Sequence, residues 1–279
     1  MKKILVATDL SAGSDRAVLR AVKLAQEFDA QLTIAHVING KMKTGVVKNA
    51  KKSAEEEINF CLKEIKTSNL EIEIKICVGN AYAEILNVIE KSNPNLVILG
   101  LHGHVDNDHY IIGSVTERLM RNSHKPLLIV KDRFEKAYND VLIALDFNAH
   151  SKKSLEVAFK LFGGSKFHLL HSYEIPFLGF AQEGGVIEKG VSSNSIKFLR
   201  EMADDLLKDF KGIKPKIEKI VKKGYIMNVL NEEVKILKPG LLVIGTHKKS
   251  GIIDSIATSP TDDILVNPPC DVLIVNNLT

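Results

Sequence analysis

Tryptophan is absent from the 279 residues, and only three cysteines occur, Cys61, Cys77 and Cys270, with no C-x-x-C spacing. An odd, scattered set of this kind excludes a disulfide framework and reads as reduced thiols packed as small hydrophobes. No apolar run approaches the ~20 residues of a membrane span, and the run from Ile4 to Ala7 is too short for a secretory leader, so a soluble cytoplasmic protein is expected. A Walker A loop, an H-E-x-x-H zinc motif and an acyl-transfer triad are all missing, which leaves established hydrolase mechanisms nothing to attach to. Nor is charge of one sign concentrated. Residues 1–134 carry 19 Lys/Arg against 16 Asp/Glu, out of 38 against 34 in the whole chain, so the net +4 is spread over both halves. A nucleic-acid binder would gather its basic residues on one module, and no nucleic-acid partner is expected.

What is present is an ordinary globular composition, 45% hydrophobic and 26% charged. The chain exceeds the usual ~100–200 residues of one domain, so two domains are expected. Ile4 to Ala7 reads as a strand buried on both faces, with Thr8 and Asp9 at its carboxyl end. Ser14 is the expected N-cap of the next helix, whose stripe is Ala17, Val18, Ala21, Val22, Ala25 and Phe28. A strand at 31–38, a charged amphipathic helix at 48–66, an edge-like strand at 72–76 and a helix at 82–91 follow. Asn93-Pro94 stops that last helix. A strand at 97–100, a helix at 114–122 and a strand at 127–130 complete five strands and four helices in strict alternation, the pattern of a doubly wound parallel α/β sheet.

The order then begins again. Val141 to Asp146 repeats Ile4 to Asp9, with Asp146 and Ser151 each 137 residues beyond Asp9 and Ser14. Gly79, Pro94, Gly100 and Asn122 return as Gly224, Pro239, Gly245 and Asn267 at an offset of 145. Two copies of one fold are therefore expected, at 1–134 and 135–279, joined by a short polar linker at 133–138. A stretch at 174–190, containing Phe177 to Phe180 and Gly184-Gly185, has no counterpart in the first copy. It reads either as a mobile lid or as a loose connection.

The chemistry concentrates on Val97-Ile98-Leu99-Gly100-Leu101-His102-Gly103 and Gly113-Ser114-Val115-Thr116. This is a strand, a glycine loop and a helix start, spaced Gly, two residues, Gly, nine residues, Gly-Ser. Gly100 and Gly103 let backbone approach a phosphate, because no Cβ intrudes. The helix opened by Gly113, Ser114, Val115 and Thr116 offers free N–H groups and a positive dipole end to an anion. In a parallel sheet, ligands sit beyond the carboxyl ends of strands where the strand order reverses, so neighbouring first and fourth strands would bring Asp9 and Gly100 to one crevice. There Asp9 would accept from a ribose hydroxyl or hold a cation.

At these residues the chain resembles the universal stress protein family in its tandem form, and Gly100-x2-Gly103-x9-Gly113-Ser114 follows that family's ATP-binding pattern without a gap. The resemblance implies strand order 3-2-1-4-5 in each domain. It implies an intramolecular pseudo-dimer paired through the last strands, Leu127 to Val130 meeting Val272 to Val275, with a further homodimer left open. It also implies an adenine-nucleotide site built from Ala7, Thr8, Asp9, Val37, Leu99, Gly100, Gly103, Gly113, Ser114, Val115 and Thr116. ATP, with Mg²⁺ or Mn²⁺, is the implied cofactor, and the expected role is a stress-response signal without a catalytic residue.

The second copy departs from the pattern. Lys248 replaces Gly103, and Thr258-Ser259-Pro260-Thr261 replaces Gly113 to Thr116, so no ATP site of the same kind is expected there. His102, His104, Asp106, Asp108 and His109 have metal-ligand residue types, but a solvated phosphate loop is the expected reading. His36, His171 and His247 are expected to pack or hydrogen-bond at strand ends. Two alternatives stand beside the nucleotide signal: a slow adenine-nucleotide hydrolase using Asp9 with a divalent cation, and a module binding an apolar ligand under Phe177 to Phe180.

Overall fold

Ile4, Leu5 and Val6 are at most 1% exposed, which is what a continuous apolar run produces when helices cover both sheet faces. The computed structural model describes residues 1–65, 67, 70–105, 109–111, 114–131, 137–146, 149–174, 184–208, 215–246, 264 and 268–276. The chain divides into two compact units, Met1–Glu135 with Leu265–Thr279, and Lys136–Ile264.

The first unit runs β1 (Lys3–Thr8), α1 (Ala12–Phe28), β2 (Gln31–Asn39), α2 (Thr44–Glu64), β3 (Ile72–Gly79), α3 (Ala81–Ser92) and β4 (Leu96–Gly100). It continues through β5 (His102–Val105), β6 (His109–Ile111), α4 (Ser114–Asn122) and β7 (Leu127–Val130). The second unit runs β8 (Asp140–Ala144), α5 (Ala149–Phe162), β9 (Lys166–Tyr173), α6 (Gly184–Lys208), β10 (Lys216–Lys223), α7 (Ile226–Leu237) and β11 (Leu241–Thr246). The chain then returns to the first unit as β12 (Asp271–Asn276).

Within the first unit the strand order is β3-β2-β1-β4-β7-β12. The first five strands are parallel, in the expected 3-2-1-4-5 order. The sixth is antiparallel and pairs Val272 with Ile129, Leu273 with Leu128 and Ile274 with Leu127, the meeting of last strands that the resemblance implied. Within the second unit the order is β10-β9-β8-β11, all parallel. Right-handed crossover helices are the ordinary means of making such parallel neighbours.

Four local expectations are corrected. Ser11, not Ser14, is the N-cap of α1: its backbone is extended and its side chain accepts from the Ser14 N–H. The strict alternation is broken by β5 and β6, an antiparallel pair whose register shifts between His102 and His104, at Gly103. Gly184 to Gly190 is helical, because it opens α6, while Phe177 to Phe180 lie outside the described residues. Tyr138 is no linker residue, for it is 5% exposed and its ring stands edge-on to Phe162 with centroids 5.3 Å apart. Residues 133–136 of that linker lie outside the described residues.

β12 is tied into the first unit at both ends. Asp271, 1% exposed, meets Arg20 of α1 at 3.1 Å and accepts the Lys131 N–H at 2.8 Å. Asn276 donates through Nδ2 to the carbonyls of Met120 and Ser123, both at 2.7 Å, at the end of α4. Removing one member of a buried pair strands the other charge, which costs about 3–5 kcal/mol, whereas replacing both with apolar groups of similar size is often near neutral. Asp271→Ala should therefore lower unfolding free energy by about 3 kcal/mol or more, and Arg20→Met combined with Asp271→Leu should recover much of it. Denaturant titration checks this; a single-variant loss below about 1 kcal/mol would rule the pair out as a structural anchor.

Candidate functional site

The strand order reverses at β1, which has β2 on one side and β4 on the other, with Ala7 level with both Ala35 and Leu99. Beyond the carboxyl ends of these strands lies a cleft lined by Ala7, Thr8, Asp9, Ser14, Val37, Ala81, Ile85, Leu99, Gly100, Val115 and Thr116. Eight of the residues singled out in the sequence thus share one wall system: Ala7, Thr8, Asp9, Val37, Leu99, Gly100, Val115 and Thr116. Ser114 is the exposed first residue of α4, next to that lining. Gly103 is placed as backbone in β5, and Gly113 lies outside the described residues.

Three lining residues escaped the sequence reading. Ser14 was assigned to capping, and Ala81 and Ile85 carry no polar signal. The clue to the latter two is positional, since Gly79-Asn80 starts α3 on the same edge of the sheet and Asn80 caps it by accepting the Ala83 N–H at 3.2 Å.

The loop after β1 is held by its own hydroxyls. Ser14 Oγ donates to the Ser11 carbonyl at 2.9 Å and stands 2.8 Å from Thr8 Oγ1, which therefore donates to it. Thr8 Oγ1 in turn accepts the Leu10 N–H at 3.0 Å, and Asp9 Oδ1 accepts the Ser11 N–H at 3.0 Å. Leu10 is thereby held at φ 65°, a left-handed conformation that costs an ordinary L-residue roughly 1–2 kcal/mol. His36 supports the same turn, Nδ1–H donating to the Thr8 carbonyl at 2.9 Å. That is the strand-end bonding role expected for it.

Gly100 does something other than the sequence reading assigned. A Cβ there would stand 2.8 Å from the Gly13 carbonyl oxygen, and one on Gly13 would stand 2.6 Å from the Leu101 carbonyl oxygen. The two glycines let the first turn of α1 press against the end of β4. Gly100 is accordingly a packing glycine as well as part of the cleft wall.

Negative charge gathers near Asp9. The Asp15 carboxyl, in the first turn of α1, titrates above its ordinary value because burial disfavours its charged form and Glu57 and Asp9 add like-charge repulsion.

In the second unit the corresponding turn is wired differently. Leu145, 4% exposed, stands where Thr8 does, and Ser151 Oγ donates to Asp146 Oδ1 at 2.6 Å while the Asp146 N–H donates to Ser151 Oγ at 2.8 Å. The histidine strut is retained, with His171 Nδ1 donating to the Leu145 carbonyl at 3.0 Å. His247, Lys248 and the 258–261 segment lie outside the described residues, as do Asp106 and Asp108 of the His/Asp loop. Among the described residues no group of three His, Cys, Asp or Glu side chains is placed to hold a metal ion, and no helix is long and apolar enough to cross a membrane.

A repeated doubly wound α/β domain with a crevice at its strand-order reversal is the class of protein these features define. The universal stress protein family model matches residues 1–131 and again 137–276, and the chain belongs to that family. A universal stress protein of Methanocaldococcus jannaschii is 32% identical over 139 residues, 47% of this chain and 82% of the relative. A putative universal stress protein of Staphylococcus aureus is 29% identical over 140 residues, 47% and 84% of the two chains. Among solved structures, a universal stress protein from Archaeoglobus fulgidus aligns over 98% of both chains with a TM-score of 0.75 at 18% identity, a likeness of fold.

Two outcomes are expected here. Gly100→Ala should lower the melting temperature in the absence of any ligand, since its Cβ meets backbone that cannot turn aside; an unchanged melting curve would return Gly100 to a purely ligand-facing role. In an NMR titration, Asp9→Asn should move the Asp15 carboxyl pKa downward, toward its ordinary value, and no movement would remove Asp9 from its surroundings.

Proposed function

We propose that the first unit binds ATP or a related adenine nucleotide in the cleft between β1, β4, α3 and α4, and that binding serves as a regulatory signal in a cytoplasmic stress-response protein. The observation that carries this reading is the convergence on one cleft of Asp9, Gly100 and the Val115-Thr116 pair, which come from three separate stretches of the sequence. The donor set suits the ligand. Val37, Ala81, Ile85 and Leu99 offer an apolar seat for a base, Asp9 an acceptor for ribose hydroxyls, and the start of α4 unpaired backbone N–H groups for phosphate. Gly103, Gly113 and Ser114 would complete the phosphate side. In this reading Asp9 would share an accompanying Mg²⁺ or Mn²⁺.

Binding acts by favouring one arrangement of the segment after β4 over another, a shift limited to the difference in affinity for the two. The second unit serves another purpose in this reading. Asp146 is engaged by Ser151, and Leu145 removes the hydroxyl that Thr8 contributes.

Isothermal titration of the full chain with ATP should give one nucleotide per chain, and Asp9→Ala should weaken binding by about tenfold, as loss of a charged hydrogen-bond acceptor does. Two equivalent sites, or no binding, would sink the reading. Turnover with Mg²⁺ at saturation should stay well below about 1 per second. A faster rate that Asp9→Ala abolishes would instead establish a hydrolase.

A further inference from the structure

Beside the cleft, on the side where α3 and α4 begin, the Arg118 guanidinium carbon lies 3.9 Å from the centroid of the Tyr82 ring. Tyr82 is the second residue of α3, directly after the lining residue Ala81. Arg118 is the fifth residue of α4, one turn beyond Ser114 and three residues beyond the lining residue Val115. Helical side chains lean back toward the helix N-terminus, so the guanidinium reaches over the first turn of α4 rather than away from it. Stacking on an aromatic face fixes a planar guanidinium in place, which a lysine ammonium on a flexible stem would not match. Glu117, the acid next to Arg118 in sequence, is paired with Arg121 at 3.2 Å. A fixed positive charge therefore stands between two helix N-termini, each the positive end of its own dipole, at the edge of the cleft.

The geometry points to Arg118 as the residue that makes this cleft select anionic ligands, nucleotides over nucleosides, with Tyr82 as the positioning residue that holds it there. This deepens the nucleotide reading and rests on it. The base and ribose are recognised in the cleft by groups that Arg118 does not touch. Its contribution is to the phosphates alone, so it should appear in the difference between ATP and adenosine and not in the affinity for adenosine itself. Because Arg118 is exposed to solvent, salt should screen that difference over distances of about 8–10 Å at ordinary ionic strength.

Full-length wild type, Arg118→Gln, Tyr82→Leu and Tyr82→Phe are titrated with ATP and with adenosine at low and high salt, with a thermal melt of each variant as the folding control. Arg118→Gln should weaken ATP by about tenfold and adenosine by less than about twofold, and high salt should shrink the gap between wild type and variant. Tyr82→Leu should show a smaller loss of the same kind, and Tyr82→Phe, which keeps the aromatic face, should behave as wild type. Equal weakening of both ligands, or none, overturns the assignment while leaving the nucleotide reading intact. A wild-type chain that binds neither ligand overturns both.

Discussion

The close approach of the first turn of α1 to the end of β4 is the constraint on which the first unit's functional end depends. Gly13 and Gly100 face each other with no room for a Cβ on either. That contact sets where Ser14 stands, and Ser14 with Thr8 sets the turn that carries Asp9. The cleft floor is thus fixed by backbone packing and two hydroxyl groups before any ligand arrives. Such preorganisation is what allows a shallow crevice to favour one orientation of a bound molecule without first ordering its own loop. The left-handed Leu10 is the local strain that this arrangement holds, and it sits beside Asp9 of the cleft wall.

Much of this fold was legible because the signals were strong and mutually consistent. Continuous apolar runs marked the strands that are buried on both faces, three- and four-residue spacing marked α1, and Asn93-Pro94 marked the end of α3. The expected helix at 114–122 and strand at 127–130 coincide with α4 and β7. The repeat offsets revealed two copies where composition alone showed only an ordinary globular chain. Eight cleft residues were identified in the same way, from strand ends and the glycine pattern.

The parts that escaped share a physical origin. Ser11 and Ser14 both have capping chemistry, and which one caps depends on whether the other hydroxyl finds a better partner, here Thr8 across the turn. Ala81 and Ile85 became cleft residues through the placement of α3 over β2 and β3 and beside α4, which only the assembled sheet reveals. Gly100 was read as a phosphate glycine because close approach to a ligand and close approach to a helix ask for the same missing Cβ. The antiparallel pair of β5 and β6 was hidden by residues whose types suggested loop chemistry. In each case the sequence narrowed the choice to a few partners, and tertiary contact selected among them.

The sheet of the first unit has one further consequence, which concerns time. Its sixth strand, Asp271–Asn276, leaves the ribosome only after residues 136–264 have been made, and it brings the carboxylate that neutralises Arg20. Until then Arg20 lacks the Asp271 carboxylate, and β7 presents an unpaired edge. Domains ordinarily complete themselves from the N-terminus as synthesis proceeds. This chain instead defers completion of its first unit until the residues of the second have been synthesised. The unit proposed to bind the nucleotide would then be completed only after the second, which ties its readiness to successful synthesis of everything between.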